Sequence, residues 1–513
     1  MKRNQNPQLL RSILVSLTAV GCSVASNAEA ACAAQNTCFG IAALQSNTAG
    51  DFNSAFGYEA LFSNLEGGTN SAFGWNAMRD NVGGGNNTAV GASALSSNTN
   101  GTANTAVGAF ALTAPETGEF NTAVGYGALT DTFGPAFSIR NTAIGADTLA
   151  SLVSGSHNTA VGDRAMQGDS FRGTTSAEAN TAIGSQAMSS VRGGQANTGV
   201  GSLALYGALR TDATYNFNTA VGYSAMKTIN SGEYNTAIGY RALLGAQPGI
   251  TGSWNTANGA SALLLNTSGA SNTAIGFNAL RANTTGIKNT GNGANALRSV
   301  TTGLRNTAFG VSAGKNITTG SDNIVIGAEN FGVATENGVI RIGNSAHQKM
   351  TFIAGVRGVK TGSAAATAVF IDANGQLGTI KSSRVGKEDI QPMASVSERL
   401  FALRPVTFRY KESDEDGTQP VQFGLIAEEV AEAFPELVVY DKDGKPETVS
   451  YHLLATLLLN EFQEAYSEAQ VQAMRIATLE TQAAEMSQLK KEVAEMAEMI
   501  KMLDHTRMVA TTR

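Results

Sequence analysis

Charged side chains make up only 15% of this 513-residue chain, which also has three cysteines, nine prolines and 7% aromatic residues. An average soluble domain is about 25% charged, so the shortage disfavours a conventional enzyme core. The net charge of −6 gives no general attraction to phosphate backbones, the force that dominates nucleic-acid affinity. Nucleic acid is therefore not expected as a partner. After residue 30 no stretch reaches the roughly 20 apolar residues of a membrane-spanning helix, so no transmembrane segment is expected in the mature chain. Glycine, at 57 residues, is abundant.

Residues 1–30 read as a signal peptide. Lys2, Arg3 and Arg11 precede or open the apolar run 13–20, and Ala28-Glu29-Ala30 supplies a small-x-small cleavage pattern. Export follows, to the cell surface or the medium, with Ala31 as the new N-terminus; a lipoprotein cut before Cys22 is the other reading. Ordinary cleavage leaves Cys32 and Cys38, either a disulfide within or between chains or two free thiols. The remaining length allows about three domains. Charge marks one boundary: residues 31–380 carry 17 basic and 17 acidic side chains, residues 381–513 carry 15 and 23.

A repeat dominates residues 31–336. The unit N-[TS]-x-[apolar]-G-x-x-A-[LM], with substitutions in five of the coils, recurs 17 times, from Asn36 to Asn323, mostly 17 residues apart. The four longer spacings, of 20 to 22 residues, insert their extra residues between the Ala-Leu or Ala-Met pair and the next Asn, in surface loops. A unit this short suits one coil of a parallel β-solenoid, each coil sheltered by its neighbours. Two short strands per coil are expected. Val124, Ile144, Val161 and Ile183 would form one inward column, and Leu129, Leu149, Met166 and Met188 another. The recurring glycines, Gly125 and Gly145 among them, imply a positive φ or a close approach that a β-carbon forbids. The recurring Asn suits a turn and a stacked ladder. At about 4.8 Å per coil the array is a rod on the order of 80 Å long.

Other motifs in the array dissolve into the repeat. Gly199-Val200-Gly201-Ser202-Leu203-Ala204 imitates a dinucleotide fingerprint without its βαβ context, and the Asn-Thr-Ala glycosylation sequons are generated by the period itself. The threonine column remains a candidate ice-binding or sugar-binding face. As a pattern, the array over residues 36–330 resembles the head repeats of trimeric autotransporter adhesins. That resemblance implies three chains associated as parallel β-rolls. Residues 502–513 lack the alternating strands of an outer-membrane barrel, so a complete autotransporter is not expected.

Residues 337–380 read as a β neck, and residues 381–465 as a mixed α+β domain. Asp441-Lys442-Asp443-Gly444 lacks the remainder of a calcium loop and reads as a tight turn. His452 reads as a packing residue at a helix start. That helix should begin near Tyr451 and run to about Leu503. Its heptad positions Leu479, Met486, Val493 and Ile500, with Leu489, Met496 and Leu503, predict a coiled coil over residues 466–503, so that 466–513 is coiled coil and tail; the bland alternative is an amphipathic helix lying on its own domain.

Five ordered blocks occupy the mixed domain: 382–390 (SSRVGKEDI), 403–408 (LRPVTF), 423–430 (FGLIAEEV), 434–438 (FPELV) and 449–451 (VSY). They resemble the C-terminal intramolecular chaperone of endosialidases and other phage tail spikes and fibres. The resemblance implies a domain that trimerises, templates the β-structure before it, and is cut off just before the Ser of an S-x-x-x-x-K pair. Ser382 and Lys387 have that spacing and are the candidate catalytic residues. A serine is a weak nucleophile until a base takes its proton, and lysine serves only when desolvation or nearby charge lowers its pKa. Without the resemblance the two are a linker hydroxyl and a solvated charge.

The expectation is an exported homotrimeric fibrous protein, adhesin-like, meeting a cell-surface glycan or protein receptor and needing neither cofactor nor metal. At most it cuts itself once. The alternatives are a phage-type tail fibre and a glycan-degrading solenoid enzyme. The latter needs clustered acids, whereas Asp147, Asp163 and Asp169 sit mainly in variable positions.

Overall fold

The structure is a computed structural model that describes residues 35–510, except 114–116, 131–137, 152–153, 169–175, 191–192, 208–214, 357–359, 361, 363–364, 373–374, 414–416 and 442. The leader 1–30, Ala31, Cys32, Asp169 and Lys442 thus lie outside the described residues; Cys38 is disulfide-bonded. The chain divides into two compact units that meet in sequence at Phe352 and Ile353.

The first unit is a parallel β-solenoid. A three-residue strand from each coil stacks in register on the next, Thr122–Val124 on Thr142–Ile144, then Thr159–Val161, then Thr181–Ile183. The resulting 18-stranded sheet extends to Ile340–Ile342, which pairs with Ile324–Ile326. Among the described residues a second strand occurs in only four places: Ser138–Ile139, Ser154–Ser156, Ser176–Glu178 and Gly194–Gln195. Two strands in every coil was an overestimate. Elsewhere turns complete the circuit by bonding directly to adjacent coils, as Asn278 N–H does to the Ala260 carbonyl (3.0 Å) and Leu280 N–H to that of Ala296 (2.9 Å). Both residues hold positive φ, +56° and +49°. That conformation is unfavourable for Leu, and the packed coils on either side hold it there.

The inward column is also corrected. Ala123, Ala143, Ala160 and Ala182 are fully buried, while Val124 and Val161 are half-buried on the outer face and Ile144 and Ile183 are exposed there, each at 41%. Opposite a Leu or Met the interior has room for a methyl; Val325 is the exception, buried in the same column after the coil whose Leu or Met position is Gly314. At Gly199, even an added β-carbon would stand 2.9 Å from Met188 Cγ. A methyl fills the gap between the strand and the opposite Leu or Met. That second column is buried as expected at Leu129, Leu149, Met166 and Met188.

Glycine and asparagine do what their spacing implied. Gly145 has φ +134°, and an added β-carbon would meet the Gly162 carbonyl oxygen at 2.6 Å, so the coils close upon one another only without it. Asn272 is fully buried. Its N–H and Nδ2 both donate to Asn255 Oδ1 (3.0 and 3.1 Å), and Nδ2 also donates to the Gly286 carbonyl (2.8 Å), closing its own coil. Its Oδ1 accepts the same pair from Asn289. A second ladder, not foreseen, runs Asn47-Asn64-Asn81-Asn98 and resumes at Asn266-Asn283.

In the second unit, Phe370–Ile371 pairs with Leu377–Gly378, Val406–Phe408 with Gln422–Gly424, and Val438–Tyr440 with Pro446–Val449, all antiparallel. The last two strands are joined by the expected tight turn, with Asp441 Oδ1 accepting from Asp443 and Lys445 N–H (2.9 Å each). Ala394–Ala402 forms a 3-10 helix. Helix α1 (Ala427–Ala433) and the first turns of α2 (Tyr451–Ala510) cover a core of Val430, Phe434, Leu437, Val438, Val449 and Leu457. From Tyr466 onward α2 is exposed on every side, its heptad residues Leu479, Met486 and Val493 included. The seam has no partner within the described chain.

Candidate functional site

Ser382 and Lys387 flank a single 3-10 turn, Arg384–Gly386. Ser383 opens it: its Oγ accepts the Val385 N–H at 3.4 Å and its carbonyl accepts that of Gly386 at 3.1 Å. The Arg384 carbonyl then takes the Lys387 N–H at 3.2 Å. So tight a turn carries the chain back on itself, and Lys387 Nζ comes to 3.1 Å from Ser382 Oγ. At this separation a charged lysine donates to the hydroxyl, and a neutral one accepts its proton. Ser382 and Lys387 are exposed, and Val385 between them is 97% exposed. Water therefore reaches the pair freely in the single chain. Lysine gives up its charge near neutrality only when burial or neighbouring positive charge disfavours it. The turn supplies the spacing; burial of the pair would have to come from outside it.

The remaining blocks lock the module behind this turn. Arg404 forks onto the Glu429 carboxylate. Arg399 does the same to Glu436 (3.1 Å twice), with its guanidinium 3.9 Å above the Phe434 ring. The Arg399 hydrogen bonds, helped by a backbone N–H, hold the Glu436 carboxyl below the usual range. Tyr451 Oη accepts the Leu425 N–H (2.9 Å) and stands 2.7 Å from where a β-carbon on Gly424 would be. Glycine is needed there because the tyrosine already fills the space. Asn460 Nδ2 donates to buried Ser397 Oγ (2.7 Å) and to the Ala394 carbonyl (3.1 Å), fastening α2 to the 3-10 helix. Sequence reasoning missed Arg399, Ser397 and Asn460. His452 packs its ring against Phe370, centroids 4.9 Å apart.

An open apolar groove of about 690 Å³ lies along the module, lined by Leu403, Pro405, Val406, Phe423, Tyr451 and Leu458 among others. No helix among the described residues is long and apolar enough to cross a membrane.

Fold and site together define a repetitive β-solenoid protein with a small α/β module, at whose leading edge a serine and a lysine meet. Residues 382–439 match the family Peptidase_S74, chaperone of endosialidase, and the match opens at Ser382. Comparison with curated proteins and with solved structures finds no match.

Proposed function

We propose that this is an exported, homotrimeric, fibre-like surface protein whose C-terminal module drives assembly of the solenoid and then releases itself by one cut between Lys381 and Ser382. The observation that carries the reading is the chaperone-family match beginning at the serine whose hydroxyl faces Lys387 Nζ at 3.1 Å. Trimerisation supplies the missing burial: neighbouring copies that cover Val385 also desolvate Lys387. Neutral Lys387 takes the Ser382 hydroxyl proton as Oγ attacks the Lys381 carbonyl carbon. The Lys381–Ser382 C–N bond breaks, the proton passes to the freed amine, and water hydrolyses the ester to leave the Lys381 carboxylate and the regenerated hydroxyl. The cut therefore reports assembly. The exposed heptad face of α2 is read as the seam of a three-chain coiled coil.

Export and adhesion to a glycan or protein receptor belong to the same proposal and rest on the leader pattern and the adhesin-like repeat. The test is intact mass and light scattering on residues 31–513, as wild type and as Ser382→Ala. The expected result is a wild-type trimer of chains ending at Lys381, with Ser382→Ala trimeric and uncut. An uncut wild-type trimer removes the peptidase step and leaves a permanent assembly tail, while a monomer removes the trimeric reading. The matched family also favours a second reading, a virion tail fibre. Fusing residues 1–30 to a reporter separates the two, since a fibre assembled in the cytoplasm needs no export.

A further inference from the structure

Each strand of the solenoid turns its first and third side chains outward. The third position forms a stripe, in register from Phe39 to Ile342, that is apolar at every rung except Asn258 and Asn292. Phe73, Val90, Ile144, Ile183, Ile238 and Phe309 on it are 39–44% exposed. A contiguous apolar band of this extent is not ordinary monomer surface. Eighteen strands at about 4.8 Å make it about 80 Å long, and three residues at about 3.3 Å make the strand face about 10 Å wide. That strand face, its threonine column included, covers about 800 Å², comparable with one partner's share of a standard stable interface.

We infer that this stripe is the seam along which copies of the solenoid pack, in phase, around the trimer axis. The inference rests on the trimeric reading above and adds the surface that reading leaves open. Period identifies the occupant. A partner that covers every rung must present apolar groups at the coil spacing over the same length, and a second copy of this chain does so by construction. In-phase packing also brings the Asn258 amides of all copies to one height and the Asn292 amides to another, where they bond each other. A one-coil slip would set each amide against Ile238, Ile275 or Phe309, so the two polar rungs fix register, as a buried Asn does in a coiled coil. The exposed aromatic ladder Phe217-Tyr234-Trp254 is a weaker candidate for a sugar platform. Its rings stack on one another at 4.9 and 6.2 Å, nearly parallel, so most of the faces a sugar would need are already covered.

The test uses the full chain with Ile183→Cys on the stripe and Asn100→Cys at an exposed turn off it. Light scattering first gives the number of chains. Each variant is then labelled with a water-soluble maleimide and, separately, mildly oxidised. The expected result is a trimer in which the Ile183→Cys thiol labels at least about tenfold more slowly than the Asn100→Cys thiol, or forms inter-chain disulfides whose yield is unchanged on dilution. A trimer in which both introduced thiols label alike, without stripe cross-links, overturns the seam and leaves the trimeric reading standing. A monomer overturns both. A third variant, Ile144→Asp/Ile183→Asp, adds a functional readout: both sites are exposed in the single chain, so the coil itself tolerates the change. Charges buried at the axis should weaken association about a hundredfold or more, and unchanged association of the solenoid after the cut refutes the seam.

Discussion

Replacing Asn272 with Asp is the sharpest probe of the asparagine ladder, because it changes no volume and removes only donors. Asn272 Nδ2 donates to Asn255 Oδ1 at 3.1 Å and to the Gly286 carbonyl at 2.8 Å, in a fully buried position. A carboxylate there loses both bonds, each worth about 1 kcal/mol net, and sets its own oxygens against two acceptors whose desolvation costs about 1–3 kcal/mol apiece. The local loss should be about 3 kcal/mol or more. The pH dependence identifies the cause. Burial among acceptors raises the folded-state pKa of the new carboxyl above its unfolded value of about 3.9. The folded state then binds more protons, so stability lost at neutral pH returns as pH falls through the raised pKa, the return being complete below about 4 and one bond short of wild type, since a protonated carboxyl has one O–H where the amide donated twice. Ordinary structural aspartates behave in the opposite sense. Because a long repeat array need not unfold in one step, the assay is hydrogen exchange resolved to residues 255–290 at pH 7 and pH 4.5, with Asn272→Ala as a control that has no titration. If Asn272→Asp exchanges like wild type, or if its deficit is the same at both pH values, the ladder does not carry the load assigned to it.

Gly276→Ala and Gly338→Ala both place alanine at positive φ, +121° and +68°, but an added β-carbon meets the Gly293 carbonyl carbon at 2.7 Å in the first and nothing within 4 Å in the second. The first should cost about 3 kcal/mol or more and the second about 1 kcal/mol; equal losses in local exchange would show that coil-to-coil contact is not the constraint. Tyr451→Phe should destabilise the module by about 1 kcal/mol through the lost Leu425 bond, read by urea denaturation monitored in the second unit. Gly424→Ala should do worse, since its β-carbon would stand 2.7 Å from Tyr451 Oη. A milder effect for the alanine would remove the steric account of that glycine.

Period, glycine and asparagine were legible in the chain itself, because each is a backbone requirement that the repeat states once per coil. Gly145 at φ +134° and Asn272 bonded to both neighbouring coils are what such spacing demands. The Ser382–Lys387 pair was legible only through the resemblance of the blocks around it, and one turn of 3-10 helix brings the two groups to 3.1 Å. What hydropathy could not decide was which side of Thr-Ala-Val faces in. Alternation permits either face, and apolar content favours valine inside. Only the distance from the strand to the Leu or Met column settles it, leaving room for a methyl at Ala123 and turning Val124 outward. The same hidden distance makes the outer apolar stripe, because opposite the Leu or Met column the strand turns its alanine inward and its Val, Ile or Phe outward.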